Sequence, residues 1–291
     1  MGLKKFLFMR FPEGRAKALT FSYDDGVEQD VRLIEILNKH NMKGTFNLNG
    51  GLYAREDKVY PEGQVHRRMT KKAISALYAD GRHEVAVHSY SHPYLETLTP
   101  AMVAYEIIKD REELESQFGK IIRGMAYPMG TFSDEVVDVL KNCGILYART
   151  TKTTEKFDIP TDWLRLPATC HHKNPRLMEL AQSFVEMKVG QHPKLFYVWG
   201  HAYEFEGADN WHVIEEFTEY MSGKEDSIWY ATNGEIFEYI EDYKRLIFSA
   251  DGSMVKNPTA RTLWFSLNNH IISIAPGETL KLDVGVKESN L

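Results

Sequence analysis

Several features that would place this chain in a special class of protein are scarce or missing. Its 291 residues include only two cysteines, Cys143 and Cys170, too few for a disulfide framework at this length. We interpret Cys170 as a buried thiol and place Cys143 on a helix face. No apolar run is long enough to cross a bilayer, and no lysine or arginine run marks a nucleic-acid surface. We therefore expect neither a membrane nor a nucleic acid as a partner.

The amino terminus also lacks the signs of a secretion signal. The stretch MGLKKFLFMRFPEG has no small-residue cleavage site and is interrupted at Arg10 and Pro12. We interpret it as a first strand and expect a cytoplasmic protein, with a trimmed export signal left open. A net charge of -6 and 43% hydrophobic residues are typical of a globular chain with a sizeable core. Composition leaves open whether the chain forms a homo-oligomer.

From Ala18 to about Lys244 the sequence alternates between two patterns. Short apolar runs typical of buried strands are separated by segments with helical spacing that begin at capping residues and end at glycine. The runs are ALTFSY, GTFNLN, EVAVHS, GMAYP, ILYART, WLRLPAT, LFYVWGH and SIWYAT. This repetition predicts an α/β fold, a distorted (β/α)7-8 barrel over residues 1–245. An open doubly wound sheet is the alternative, disfavoured because no Gly-rich nucleotide fingerprint follows the first run.

After about Leu246 the pattern changes. The remaining segment has two or three strand-like pieces and turn signals at Asp251-Gly252 and Pro276-Gly277. We expect residues 246–291 to form a small β-rich C-terminal appendage packed on the barrel.

Polar residues gather where the predicted strands end, which is the catalytic face of a (β/α) barrel. Asp24 and Asp25 follow the first run, and His88 ends EVAVHS, with His92 shortly after it. Other residues on this rim are Tyr127, Pro128, Gly130, Asp162, Trp163 and His201. One aspartate and two histidines supply three ligands and leave positions for water and substrate, the arrangement typical of catalytic zinc-like ions. Alone, the Asp pair also fits an acidic helix N-terminus.

The remaining candidates are less specific. His201 fits a buried strand-end histidine as well as a functional one, and Trp199 fits either the core or the wall of a substrate pocket. His171 and His172 form a further imidazole pair, but adjacent side chains diverge and the sequence shows no third partner. We therefore discount that pair as metal ligands.

Four motifs in this order resemble the polysaccharide deacetylase family, also called the NodB-homology group or carbohydrate esterase family 4. The motifs are FSYDDG, HSYSH, AYPMG and WGHAYEF, and the resemblance covers about residues 18–244. It implies a distorted (β/α) barrel with one divalent metal ion. Zn²⁺ is the first expectation, and Co²⁺ or Ni²⁺ are the alternatives.

The resemblance also implies roles for individual residues. Asp24 would be the general base and His201 the general acid. Asp25, His88 and His92 would be the metal ligands. Among the substrate-facing groups, Trp163 would line the pocket and the backbone N–H of Met129 would help hold the oxyanion, with Tyr127 and Trp199 beside them.

The sequence departs from the family at two positions that support catalysis. Ala126 stands where the family usually carries an arginine that steadies the base, and Arg123 or Arg165 are candidates to replace it. FDIPTDW has one residue more than the usual D-x-x-D-W. This extra residue leaves open whether Asp162 is the partner of His201.

Together these features predict a metal-dependent hydrolase that removes an acetyl or other acyl group from the nitrogen of a sugar or polysaccharide. Its partner would be a carbohydrate or a small acylated molecule. Two alternatives are a related hydrolase of small cyclic amides or imides, and a non-catalytic metal-containing barrel that binds carbohydrate.

Overall fold

The computed structural model of the chain describes residues 7–282. The first six residues of the predicted first strand, and residues 283–291 of the predicted appendage, lie outside the described residues. The strands are β1 (Leu7–Arg10), β2 (Lys17–Asp24), β3 (Thr45–Leu48), β4 (Glu84–Val87), β5 (Gly124–Ala126), β6 (Tyr147–Thr153), β7 (Leu166–Ala168), β8 (Cys170–His171), β9 (Lys194–Gly200), β10 (Ile228–Tyr230), β11 (Ile247–Phe248), β12 (Met254–Lys256), β13 (Leu263–Leu267), β14 (His270–Ile274) and β15 (Thr279–Lys281).

The helices alternate with these strands along most of the chain. They are α1 (Asp30–Lys39), α2 (Lys71–Leu77), α3 (Pro100–Phe118), α4 (Asp134–Asn142), α5 (Leu177–Glu186), α6 (Tyr203–Gly207), α7 (His212–Met221) and α8 (Asn233–Lys244). None of the helices within residues 7–282 has the length and apolar composition needed to cross a bilayer.

The central sheet is parallel and nearly closes on itself. Its order is β7-β6-β5-β4-β3-β2-β9-β8, and β10 pairs with the first half of β2. β7 and β8 are consecutive in the chain, and between them the Thr169 N–H donates to Tyr197 O of β9 (2.9 Å). The segment 166–171 therefore joins β6 to β9 and nearly closes the ring. This confirms the predicted distorted (β/α)7-8 barrel.

Alternation along β2 separates the two sides of the barrel wall. Leu19, Phe21 and Tyr23 belong to the core that the surrounding helices cover. Their neighbours Ser22 and Asp24 point the other way, where Asn47 of β3 donates to both side chains. The barrel interior thus carries polar groups up to its carboxyl end, and this arrangement positions the site described below.

The β-rich region after the barrel forms two three-stranded sheets, and one of them uses both ends of the described chain. β11, β12 and β15 make one sheet, whereas β13 pairs with β14 on one side and with β1 on the other. The small appendage is therefore present, with β1 added to it rather than to the barrel. The division between residues 245 and 246 stays a prediction.

Candidate active site

The end of β2 turns sharply and sends two adjacent carboxylates into different surroundings. Asp25 is in the left-handed region (φ +84°), and Gly26 follows with φ +64°. The Asp25 N–H still donates to Asn47 O (3.0 Å), so the ladder with β3 continues through the turn. Asp24 and Asp25 are both buried. Because the chain turns between them, each carboxylate interacts with a different set of groups.

Asp25, His88 and His92 come together as predicted from the sequence. Their nearest ligand atoms all lie within 4.8 Å of one another, and His92 Nε2 is 3.8 Å from Asp25 Oδ1. His88 Nδ1 is 2.8 Å from Ala126 O, so the proton on Nδ1 donates to this carbonyl and Nε2 keeps its lone pair for a metal. His92 reaches the group from a loop position with φ +56°.

The electrostatics of this group also suit a divalent cation. Burial lowers the pKa of His88 to about 4 and also lowers the pKa of His92, so both rings are neutral near pH 7. For Asp25, burial works to raise the pKa, but the His66 hydrogen bond and the positive charge of Arg68 hold it far below its ordinary value. One carboxylate and two neutral imidazoles are the donors that zinc-like ions prefer, so the residues present fit such an ion.

Asp24 lies between the candidate ligands and His201. Its Oδ2 atom is 3.9 Å from His88 Nε2 and 3.7 Å from His201 Nε2. The guanidinium of Arg149, from β6, donates to the same oxygen, and Asn47 donates to Oδ1 at 2.8 Å. Burial works to raise the pKa of Asp24, but Arg149 first, and then the two histidines, lower it below its ordinary value. Asp24 is therefore an ionised carboxylate, as a general base requires.

Arg149 makes the contact with Asp24 that we expected from an arginine at the position of Ala126. It is almost fully buried, donates from Nε to Ser22 Oγ (3.2 Å), and its guanidinium carbon lies 4.5 Å from the centre of the Trp199 ring. The two candidates proposed from the sequence lie elsewhere. Arg123 donates to Gly144 O, and Arg165 pairs with Asp134 and Asp162. The signal for Arg149 was a charged residue inside the otherwise apolar run ILYART.

Glu204, in the first turn of α6, is the carboxylate beside His201. Its Oε1 lies 3.6 Å from His201 Nδ1 and 3.0 Å from Lys173 Nζ. Its Oε2 lies 3.2 Å from His171 Nε2 and 3.1 Å from His172 Nε2. Sequence reasoning missed this residue, although it follows His201 by three positions.

Glu204 forms a second group that could hold a metal ion, together with His171 and His201, so the histidine pair discounted from the sequence does meet further candidate ligands. The Lys173 N–H donates to His171 Nδ1 (3.1 Å), so in the neutral ring the proton is on Nε2, which lies 3.2 Å from Glu204 Oε2. Burial works to raise the pKa of Glu204, but its histidine and lysine partners hold it far below the ordinary value. For His201, burial works to lower the pKa, but the nearby carboxylates of Glu204, Asp24 and Asp25 give a net rise. His201 therefore favours the protonated form that a general acid needs.

Asp162 lies apart from His201. It caps the short 3₁₀ turn Trp163–Arg165 by accepting from Leu164 N–H (3.1 Å), and it pairs with Arg165 at 2.9 Å. The carboxylate beside His201 is thus Glu204 and not Asp162, which the sequence had suggested.

The four residues predicted to face the substrate differ in their exposure and in their contacts. Trp199 is mostly buried between Arg149 and His171, whose ring centre lies 4.5 Å from that of Trp199. Trp163 is also mostly buried, and Met129 is half exposed with φ +57°. The side chain of Tyr127 is buried and its hydroxyl donates to Leu164 O (2.7 Å), so it supports the turn that carries Trp163.

Comparisons with known proteins agree with this geometry. The family profile described as "Polysaccharide deacetylase" matches residues 12–148, which include Asp24, Asp25, His88 and His92. A 114-residue segment is 31% identical to the uncharacterized protein YlxY of Bacillus subtilis (strain 168), covering 39% of this chain and 31% of that protein. A 135-residue segment is 27% identical to the peptidoglycan-N-acetylmuramic acid deacetylase PdaA of the same organism, covering 45% of each chain. The chain thus spans less than half the length of these two relatives.

Solved structures share the barrel at low sequence identity. A candidate polysaccharide deacetylase from Mycobacterium smegmatis has a TM-score of 0.56 and 17% identity, covering 81% of this chain and 94% of that one. The Xyl-CE4 domain of a xylanase from the hindgut metagenome of Trinervitermes trinervoides has a TM-score of 0.51 and 15% identity, covering 77% of this chain and 92% of that one. Over residues 12–148 the chain thus matches the profile of the polysaccharide deacetylase family, and the solved structures share its barrel fold.

Proposed function

We propose that the chain is a divalent-metal-dependent hydrolase that removes an acetyl group from the nitrogen of a sugar or sugar polymer. The observation that carries this proposal is the position of Asp24. Its carboxylate lies within 4 Å of both a candidate ligand, His88, and a candidate acid, His201. The match of residues 12–148 to the family profile, and the activity in the name of the relative PdaA, support the same class of reaction.

The metal would be held by Asp25, His88 and His92. A bound divalent cation supplies Lewis acidity, which lowers the pKa of a water molecule and polarises the acyl carbonyl. We infer Zn²⁺ as the first choice because the donor set is one carboxylate and two imidazoles, with Co²⁺ or Ni²⁺ as alternatives. The fixed tautomer of His88 orients its Nε2 for this purpose.

The proton transfers would be carried out by Asp24 and His201. Asp24, kept ionised by Arg149, would take a proton from the attacking water. His201, whose Nδ1 lies 3.6 Å from Glu204 Oε1, would deliver a proton from Nε2 to the leaving amine, which is too basic to depart unprotonated. This carboxylate–histidine pairing orients the ring and stabilises its cationic form, as in other acid–base sites.

The acyl oxygen would be stabilised by the backbone N–H of Met129, on the turn after β5. One well-placed donor contributes roughly 3 kcal/mol to the stability of such an oxyanion. Trp163 and Trp199, of which about 8% stays exposed, would form the apolar walls of the pocket. The cytoplasmic location expected from the amino terminus stays a prediction.

The test is acetate release from N-acetylglucosamine oligomers and muramic-acid-containing glycan fragments after reconstitution with Zn²⁺ or Co²⁺. We expect Asp24→Asn to bind metal normally and to lose turnover by roughly 10²–10⁴-fold, because only the base is removed. We expect His88→Ala to lose both metal and activity. Asp138→Asn is the matched control, because Asp138 is an exposed carboxylate on α4 that pairs with Lys141. An active Asp24→Asn enzyme would overturn the assignment of the base.

A further inference from the structure

The connection between β3 and α2 carries three consecutive basic residues, His66, Arg67 and Arg68, which we call the basic strap. Its backbone runs against the turn that follows Asp25. The Glu28 N–H donates to Arg67 O (2.8 Å), and the Met69 N–H donates to Gly26 O (2.9 Å). An antiparallel bridge between Val27 and Arg68 lies between these bonds. The basic strap is thus fixed to the segment that presents Asp25.

Arg68 holds Asp25 at two points. Its Nη1 donates to the backbone oxygen of Asp25 (2.7 Å) and to Asn49 Oδ1 (2.8 Å). Its Nη2 donates to Asp25 Oδ1 (3.0 Å). One planar guanidinium therefore fixes both the main chain and the side chain of the same residue, which a lysine ammonium cannot reproduce.

Asp25 needs such support because its backbone conformation is unfavourable. A φ of +84° is rare for a residue with a side chain, and it persists only where neighbouring groups determine it. The candidate ligand geometry depends on this conformation, since Asp25 Oδ1 is the atom that lies 3.8 Å from His92 Nε2. Loss of the guanidinium would free both the carboxylate rotamer and the turn.

The other two residues of the basic strap have different partners. Arg67 donates to Glu206 (2.6 and 3.1 Å) and to Glu28 (2.6 Å), which ties the strap to α6. His66 Nε2 lies 3.3 Å from Asp25 Oδ2, and the ring packs edge-on against Tyr203. Arg67 therefore offers a neighbouring arginine with a similar number of ion pairs and no contact with Asp25.

We propose that Arg68 is a positioning residue for the metal centre, acting by holding Asp25 in its ligating conformation. This inference rests on the proposed function, because it takes Asp25, His88 and His92 as the ligands. At neutral pH Arg68 orients the Asp25 carboxylate and is not needed to ionise it, because an aspartate is already ionised at that pH. Partners that orient a metal ligand change affinity by about 10–100-fold when removed.

The experiment measures Co²⁺ affinity by competition with a chelator, together with the visible absorption spectrum of the bound ion. The proteins are wild type, Arg68→Lys, Arg68→Gln and the control Arg67→Lys, each checked for a cooperative thermal transition without metal. We expect Arg68→Lys and Arg68→Gln to bind Co²⁺ about 10–100-fold more weakly and with an altered spectrum. We expect Arg67→Lys to match wild type within about threefold.

Two outcomes would overturn the proposal in different ways. Folded Arg68→Lys and Arg68→Gln proteins that bind Co²⁺ as tightly as wild type, or more tightly, would show that Arg68 does not position the ligand. Wild-type protein that takes up no Co²⁺ would contradict the metal centre itself, and with it both the proposed function and the role of Arg68. Use of two replacements keeps the test decisive if one of them does not fold.

Discussion

Asp24 and His201 each depend on a charged partner beside them, which is fully buried for Asp24 and partly buried for His201. Arg149 approaches Asp24 from β6, and Glu204 approaches His201 from α6. Because a buried charge without its partner is costly, each partner contributes both to stability and to the protonation state that catalysis needs.

We expect Arg149→Met to lower the free energy of unfolding by roughly 3–5 kcal/mol, because it leaves the buried Asp24 carboxylate without its cation. The double variant with Asp24→Asn should be less destabilised than Arg149→Met alone. Since the folded-state pKa of Asp24 is lowered, this stabilisation exists at neutral pH and is lost as the pH falls through that pKa. Urea unfolding of the wild type, both single variants and the double variant measures the coupling, and additive effects would contradict the pairing.

We expect Glu204→Gln to reduce kcat by roughly tenfold or more and to shift the basic limb of its pH profile to lower pH. Glu204 raises the pKa of His201, so its loss reduces the protonated fraction of the acid as the pH rises. The control is Glu206→Gln on the same helix, whose carboxylate binds Gln29 and Arg67 instead. A basic limb at the same pH in Glu204→Gln and wild type would argue against Glu204 as the partner of His201.

At the scale of elements, local sequence signals predicted several helix starts. Thr70, Thr99 and Ser133 cap α2, α3 and α4 through their side chains, in keeping with helical segments that begin at capping residues. These signals are local because the capping oxygen and the N–H that it accepts are three residues apart. The partner of Asp24 could not be found in this way, because Arg149 lies 125 positions away and meets it only when the barrel closes.

Tyr239 of helix α8 forms hydrogen bonds with two strands of the β1-β13-β14 sheet. The Tyr239 hydroxyl donates to Arg10 O of β1 (2.7 Å) and accepts from the Trp264 N–H of β13 (2.9 Å). The sequence predicted strands in both segments but not their pairing, because no local pattern specifies which distant strands are neighbours.

We expect Tyr239→Phe to lower the free energy of unfolding by roughly 1–3 kcal/mol, since it leaves a buried carbonyl and a buried N–H without their partner. Tyr243→Phe on the same helix is the control. Burial raises the pKa of Tyr243, and no hydrogen bond between its hydroxyl and residues 7–282 contributes to that rise. Equal midpoints in urea for the two variants would contradict the linking role of Tyr239.

At the scale of the whole molecule, the barrel explains why residues scattered from Asp24 to Glu204 form one site. The strands β2, β4 and β9 end at the same rim, where Arg149 of β6 also reaches Asp24, so these residues meet although up to 180 positions separate them. Repetition of strand and helix was sufficient to predict this rim with an aspartate and two histidines on it, and the family resemblance singled out Asp25 as the ligand beside His88 and His92. The partners Arg149 and Glu204, the first fully and the second partly buried, required the three-dimensional packing.

The central claim is that this rim holds one divalent metal ion through Asp25, His88 and His92. The most direct measurement is metal content per chain after exposure to Zn²⁺, Co²⁺ or Ni²⁺, for wild type, Asp25→Ala and the double variant His88→Ala/His92→Ala. We predict about one ion per wild-type chain, lost in both variants, because each removes ligands from a three-residue set. Wild-type protein without metal, or a double variant that retains it, would contradict the claim.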